Sequence, residues 1–179
     1  KQFHIIEKDK RLIKNLRERF DKKLIIINED ILKYNLEPLS DEDLIIFGNL
    51  PYNISSQILA KFIHYSYSEF SYKKLVLMFQ KEVADRILAE DNSKNYGRLS
   101  IFSSWKLNIK KIMDINPSSF FPKPKVISSL LVFEPKINYI KFKNSKNLEN
   151  VTNIFFNQKR KMIKKPLNIL FKDSKKVID

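Results

Sequence analysis

Short apolar runs alternate with amphipathic stretches along most of the chain. Phe3-His4-Ile5-Ile6 is an apolar run that stops at Glu7 and predicts a strand. Leu12, Ile13, Leu16 and Phe20 then recur at helical spacing among charges, so a helix is expected. Leu24-Ile25-Ile26-Ile27 predicts a second strand, ending at Asn28-Glu29-Asp30. A polar connection from Tyr34 to Asp43, containing Pro38, leads to Leu44-Ile45-Ile46-Phe47, the third strand. Beyond the loop that starts at Gly48, the positions Ile54, Ile58, Leu59, Phe62 and Ile63 return to helical spacing. Leu75 to Phe79 predicts a fourth strand, Lys81 to Glu90 a helix and Asp91 to Asn95 a loop. Leu99 to Trp105 begins helical, the chain becomes extended towards Met113, and Val126 to Phe133 is the last expected strand. Continuous apolar runs mark strands buried on both faces. Strands alternating with helices predict an α/β protein, with a parallel sheet covered by helices on both faces.

The pattern changes after Pro135. Lys136 to Asn147 is polar and basic, whereas Leu148, Val151, Ile154 and Phe155 form a helical stripe followed by Gln158-Lys159-Arg160-Lys161. We therefore expect an α/β domain over 1–136, a linker over 137–147 and the start of a small helical domain over 148–179. No internal repeat is visible.

Composition adds a partner class. Lys and Arg number 34 against 20 Asp and Glu, a net charge of +14. Such an excess suits an anionic partner, nucleic acid before membrane surface. An apolar fraction of 43% supports a core. There is no cysteine, which excludes disulfides and thiolate metal sites, and His4 and His64 lack metal-ligand spacing. No apolar run reaches membrane-spanning length and no signal-peptide pattern opens the chain, so a cytoplasmic monomer that needs no metal is the expectation.

The loop after the third strand carries the candidate chemistry. It stands at the carboxyl end of a strand, where open α/β sheets bind ligands. An exocyclic amine on a nucleobase is a poor nucleophile because its lone pair is delocalised into the ring. Two acceptors aimed at its hydrogens would draw that lone pair out of conjugation. The Asn49 side-chain oxygen is one candidate, and the Leu50 carbonyl is another, held extended before Pro51. Tyr52 offers a face on which to stack a base taken out of its helix. The same residues also suit a plain strand-to-helix turn, with Asn53 or Ser55 as the N-cap and Tyr52 as rim packing.

Several blocks taken together carry a family resemblance. Asn49-Leu50-Pro51-Tyr52-Asn53-Ile54-Ser55 resembles the catalytic motif of the ribosomal RNA adenine N6,N6-dimethyltransferases, which use S-adenosylmethionine. Phe79 to Arg86, Tyr96 to Ser100, Phe120 to Val126 and Gln158 to Lys161 follow in the order expected of that family. The resemblance spans nearly the whole chain. It implies a Rossmann-like methyltransferase sheet and N6,N6-dimethylation of adenines in small-subunit ribosomal RNA. It also implies that Glu7 holds the cofactor's ribose, Asp30 its adenine amine, and Ile31 packs near that ring. Asn49 then serves both amine and cofactor, with Leu50, Pro51 and Tyr52 completing the catalytic loop. The resemblance further implies an aromatic of the Phe120 to Val126 block near the target-base pocket, which we read as Phe121 beside Tyr52. The block also suits an apolar turn capping the sheet. By their charge Lys123, Lys125, Lys159, Arg160 and Lys161 are expected to contact RNA, the alternative being a solvated surface. On local grounds alone, Glu7 also fits a helix N-terminal charge and Asp30 an Asx turn, with Glu29 as a rival ligand. Within Phe79 to Arg86 we expect surface pairing of Glu82 or Asp85 with Arg86.

The chain departs from the family in one respect. It has only two glycines, Gly48 and Gly97, so the glycine-rich loop that cradles the cofactor's methionine part is not among these residues. By the family's order that loop, its strand and an RNA-binding segment lie upstream of Lys1. This stretch by itself is therefore expected to be inactive, and much of the helical domain lies downstream. Two alternatives remain: a large-subunit methyltransferase of the macrolide-resistance type, and a non-catalytic nucleic-acid-binding relative on the same fold. The Phe120 to Val126 and Gln158 to Lys161 blocks favour the small-subunit enzyme.

Overall fold

The computed structural model describes residues 2–20, 23–41, 43–65, 71–157 and 162–171. Two compact units are present, Lys1–Ser40 and Asp41–Asp179.

The first unit is a strand-helix-strand module. Strands β1 (Phe3–Ile6) and β2 (Leu24–Ile27) pair in parallel, with Phe3 opposite Leu24 and Ile6 opposite Ile27. Parallel neighbours need a crossover. Helix α1 (Lys10–Phe20) supplies it and buries Ile13. Asp9 starts the helix by accepting the Arg11 amide at 2.9 Å, satisfying one of the free N–H groups of the first turn.

The second unit is built on a four-stranded sheet in the order β3-β4-β6-β5. Its elements are β3 (Ile45–Asn49), α2 (Ser55–Tyr65), β4 (Lys74–Gln80), α3 (Lys81–Ile87), α4 (Arg98–Lys106), β5 (Leu107–Ile115), β6 (Ser128–Pro135), α5 (Ser145–Phe156) and α6 (Lys164–Leu170). β3 and β4 are parallel, but β6 runs antiparallel to both β4 and β5. The sheet is thus mixed, where the strand-helix alternation predicts a parallel one. The cause is the link from β5 to β6: it contains a single turn of 3₁₀ helix, Pro117–Ser119, and no α-helical crossover. A strand reached without such a crossover returns antiparallel. β6 rather than β5 lies inside because Ser128, Ser129, Leu131 and Phe133 are buried, whereas β5 carries Lys110 and Lys111 and is bulged between Lys111 and Met113. Charge and a bulge are features of edge strands.

Boundaries move slightly from expectation. α3 ends at Ile87 instead of Glu90, and β6 starts at Ser128 instead of Val126. α5 starts at Ser145, inside the expected linker, because the Asn144 side chain caps it by accepting the Lys146 amide at 3.0 Å. The Tyr96 to Ser100 block is a helix start: Ser100 Oγ accepts the Gly97 amide at 2.8 Å.

The core of this unit joins Leu75, Leu77 and Phe79 of β4 with Leu131 and Phe133 of β6, and includes Ile58, Leu59, Phe62 and Ile63 of α2. One buried polar group stands out. Lys106 is 1% exposed, and its Nζ donates to the Ile63 carbonyl at 2.7 Å. Ile63 lies in the last turn of α2, whose carbonyls lack intrahelical donors, so Lys106 caps that helix. The Trp105 and Tyr139 rings lie 4.9 and 5.8 Å from the ammonium. They favour the charged form, as does the helix end. Burial opposes them and pushes the Lys106 ammonium down to about 7 from its ordinary 10.5. Between those two values the unfolded chain binds the proton and the folded chain releases it, so stability rises with pH. Comparing wild type with Lys106→Met by denaturant titration isolates this group. The stability of wild type relative to the variant is expected to rise between pH 6 and pH 9. A pH-independent difference would mean that the ammonium keeps its proton in the fold.

Candidate catalytic loop and cofactor-binding carboxylates

The loop from Gly48 to Ser55 begins in β3, whose last residues Gly48 and Asn49 lie opposite Leu77 and Met78 of β4. A Cβ on Gly48 would stand 2.7 Å from Leu50 Cδ2 and 2.9 Å from Leu77 Cδ2. The absence of a side chain at Gly48 therefore lets Leu50 fold against the core residue Leu77. The chain then turns, with the Pro51 carbonyl accepting the Ile54 amide at 3.1 Å. Ser55 is not the amide-accepting N-cap of α2. It is buried, and its hydroxyl donates back to the Tyr52 carbonyl at 3.1 Å. Two acceptors are left over. The Asn49 side chain is exposed, and neither it nor the Leu50 carbonyl takes a hydrogen bond from the described residues. These are the two groups named from the sequence as candidate acceptors for an amine's hydrogens.

Tyr52 is half-buried, and its hydroxyl lies 2.6 Å from Ser128 Oγ, at the start of β6. Sequence reasoning missed Ser128. The pair is separated by 76 positions, and the only local signal is a serine pair, Ser128-Ser129, opening an apolar strand. Ser129 Oγ donates to Asp114 at 2.6 Å, and Lys111 lies 2.7 Å from the same carboxylate. Lys111 and the Ser129 hydroxyl hold the Asp114 carboxyl down to about 2. Lys81, 3.6 Å from Asp114, also pairs with Asp85 at 3.1 Å. Asp85 thus finds Lys81 one turn before it on α3, while Arg86, at i+1, lies on a different side of the helix.

Phe121 lies in the connection before β6 with its ring fully exposed, and Lys123 and Lys125 are exposed in the same segment. Phe120 is half-buried. Lys159, Arg160 and Lys161 lie outside the described residues.

In the first unit, two carboxylates stand at the carboxyl ends of neighbouring parallel strands. Glu7 directly follows β1, and its amide donates to the Ile27 carbonyl at 3.0 Å. One Glu7 carboxylate oxygen accepts the Asp9 amide at 2.7 Å, which leaves the other for a ligand hydroxyl. Asp30 forms an Asx turn, accepting the Leu32 amide at 3.0 Å, and its second oxygen pairs with Lys8 at 2.9 Å. Lys8, then the Leu32 amide, hold the Asp30 carboxyl below its usual range. Asp30 therefore stays ionised and keeps lone pairs for an amine donor. Ile31 is half-buried beside it, while Glu29 is exposed with one oxygen on the Asp30 amide at 2.9 Å. Acceptors at adjacent strand ends fit the ribose and adenine amine of a nucleoside cofactor.

Strand-helix alternation, the mixed sheet with antiparallel β6 and a polar loop at the carboxyl end of β3 define a Rossmann-like methyltransferase. A dimethyladenosine transferase from Plasmodium falciparum superimposes with a TM-score of 0.75 at 30% identity, over 93% of this chain and 59% of that one. The fold is shared with the 23S rRNA methyltransferase ErmE, at a TM-score of 0.64 and 21% identity. The ribosomal RNA adenine dimethylase family matches residues 1–177, and the chain belongs to that family of methyltransferases acting on ribosomal RNA. Among curated relatives, the ribosomal RNA small subunit methyltransferase A of Pelagibacter ubique is 57% identical over 179 residues. That of Prochlorococcus marinus is 41% identical over 174 residues. The alignments cover 100% and 94% of this chain, and 68% and 64% of those relatives' length.

Proposed function

We propose that the protein transfers methyl groups from S-adenosylmethionine to N6 of adenines in small-subunit ribosomal RNA, giving N6,N6-dimethyladenosine. The observation that carries this reading is the pair of unclaimed acceptors at Asn49 and Leu50, with Tyr52 beside them, in a chain of the adenine dimethylase family. The Asn49 side-chain oxygen and the Leu50 carbonyl accept the two amine hydrogens and turn the nitrogen lone pair towards the methyl donor. Pro51 fixes the turn, and Tyr52 stacks the base with Phe121 at the pocket wall. The cofactor supplies an activated methyl group on a positively charged sulfur, so this chain's residues contribute mainly binding and orientation. Glu7 takes the ribose hydroxyls, and Asp30 takes the adenine amine with Ile31 near the ring. The loss of an amine proton after transfer needs no strong base, because the methylated nitrogen is acidic.

The exposed Lys123 and Lys125, with Lys159, Arg160 and Lys161, contribute phosphate contacts, and residues 148–179 open an RNA-contacting helical domain after the α/β domain. A small-subunit substrate agrees with the naming of the curated relatives and with a cytoplasmic protein. The test is to incubate the full-length protein and S-adenosylmethionine with small and large ribosomal subunits lacking the modification. N6,N6-dimethyladenosine is expected in small-subunit RNA. Modification of large-subunit RNA alone would favour the macrolide-resistance reading, and no modification of either would favour a non-catalytic binder.

A further inference from the structure

Tyr52 is held at its backbone and at the tip of its ring. Its carbonyl accepts the Ser55 hydroxyl at 3.1 Å, and its own hydroxyl lies 2.6 Å from Ser128 Oγ. Ser128 is fully buried and sits in the sheet opposite Gln80 of β4 and Ile115 of β5. Because β6 runs antiparallel to both neighbours, its first residue lies at their carboxyl ends. β4 separates β3 from β6. Tyr52, which begins just past the end of β3, therefore reaches across the carboxyl end of β4 to touch β6. Two strand spacings are about 10 Å, so the ring is drawn out along the sheet's end. The Ser128 backbone is fixed by ladder partners on both sides and its side chain is fully buried, so its hydroxyl is a well-placed anchor.

We propose that Ser128 is a positioning residue for the tyrosine that stacks the target adenine. The inference rests on the functional reading of the Asn49–Tyr52 loop and adds a residue from β6 to it. Ser128 does not touch the base. Its hydroxyl sets the plane of the Tyr52 ring before a base arrives, so that the stacked adenine presents its amine to Asn49 and Leu50. Without the bond the ring is free to turn about its side-chain torsions, and each encounter has to order it again. Ordering one such side chain costs up to about tenfold in rate.

The experiment is a kinetic double-mutant cycle in the full-length protein, using small subunits that lack the modification. Ser128→Ala removes the anchor, and Tyr52→Phe removes the hydroxyl it holds while keeping the ring. Each is expected to lower kcat about five- to tenfold and to leave the KM for S-adenosylmethionine unchanged. The double variant is expected to lose no more than either single one, because both remove the same bond. A general loss of packing would instead lower the melting temperature and weaken cofactor binding together with turnover. Wild-type kcat in a folded Ser128→Ala protein overturns the proposal, and so do losses that multiply in the double variant. Either result leaves the methyltransferase reading intact, whereas a wild-type protein that modifies no small-subunit adenine overturns both.

Discussion

Asn49→Ala in the full-length protein is expected to lower methylation of small ribosomal subunits by at least about a hundredfold, the scale for removing one preorganised polar group from a reacting centre. In the proposed mechanism the substitution takes away the side-chain acceptor at the amine, together with any contact that Asn49 makes to the cofactor. Asn49 is exposed at the end of β3, and its side chain bonds to no described residue, so no packing or internal hydrogen bond is lost. Folding stability should therefore stay within about 0.5 kcal/mol of wild type, as for ordinary surface changes. Cofactor affinity, measured by calorimetry, tells a missing amine acceptor from a missing cofactor contact. If methylation falls with affinity unchanged, the group acts on the amine. Asn49→Asp keeps an acceptor oxygen and is expected to retain more activity than Asn49→Ala. Near-normal turnover in a folded Asn49→Ala protein would remove this side chain from the mechanism.

Phe133→Ala is expected to have the opposite profile: a large loss of stability through a residue away from the loop. Phe133 is fully buried in β6, paired with Leu75 on one side and Ile109 on the other. Its ring meets that of Phe79 edge to face at 5.9 Å. Truncation removes the apolar transfer energy, leaves a cavity that the surrounding strands cannot close, and breaks the ring pair. The cost for such a site is about 3–5 kcal/mol. That is a large part of the roughly 5–15 kcal/mol that holds a typical domain together. Phe121→Ala is the natural control, since its ring is fully exposed. It should leave the denaturation midpoint unchanged. A loss below about 1 kcal/mol in Phe133→Ala would contradict the packing described for the sheet's centre.

The sequence by itself determined the strands and helices of both units, because their cause is local. A run as short and β-branched as Leu24 to Ile27 favours a strand, and the spacing of Ile58, Leu59, Phe62 and Ile63 gives α2 one apolar face. It also placed Asn49, Leu50 and Tyr52 in one loop, since they are neighbours along the chain. Strand direction was not legible, because an apolar run reads the same whichever way it points. The mixed sheet followed from a β5–β6 link without an α-helix and from the burial of β6 between two strands. A glycine permits close approach, but only the fold showed that the side chains filling the space at Gly48 are Leu50 and Leu77. Nothing in its local stretch distinguishes Lys106 from the other lysines of a basic chain. Its burial against the end of α2 and the Tyr139 ring depends on three segments meeting. Tyr52 and Ser128 belong to the same class. Each is an ordinary residue in its own stretch, and their bond exists because β6 enters the sheet next to β4 with its first residue at the carboxyl edge. Local periodicity governs which segments become strands and helices, whereas contacts between residues far apart in the chain depend on how those segments are ordered, and that was decided by tertiary structure.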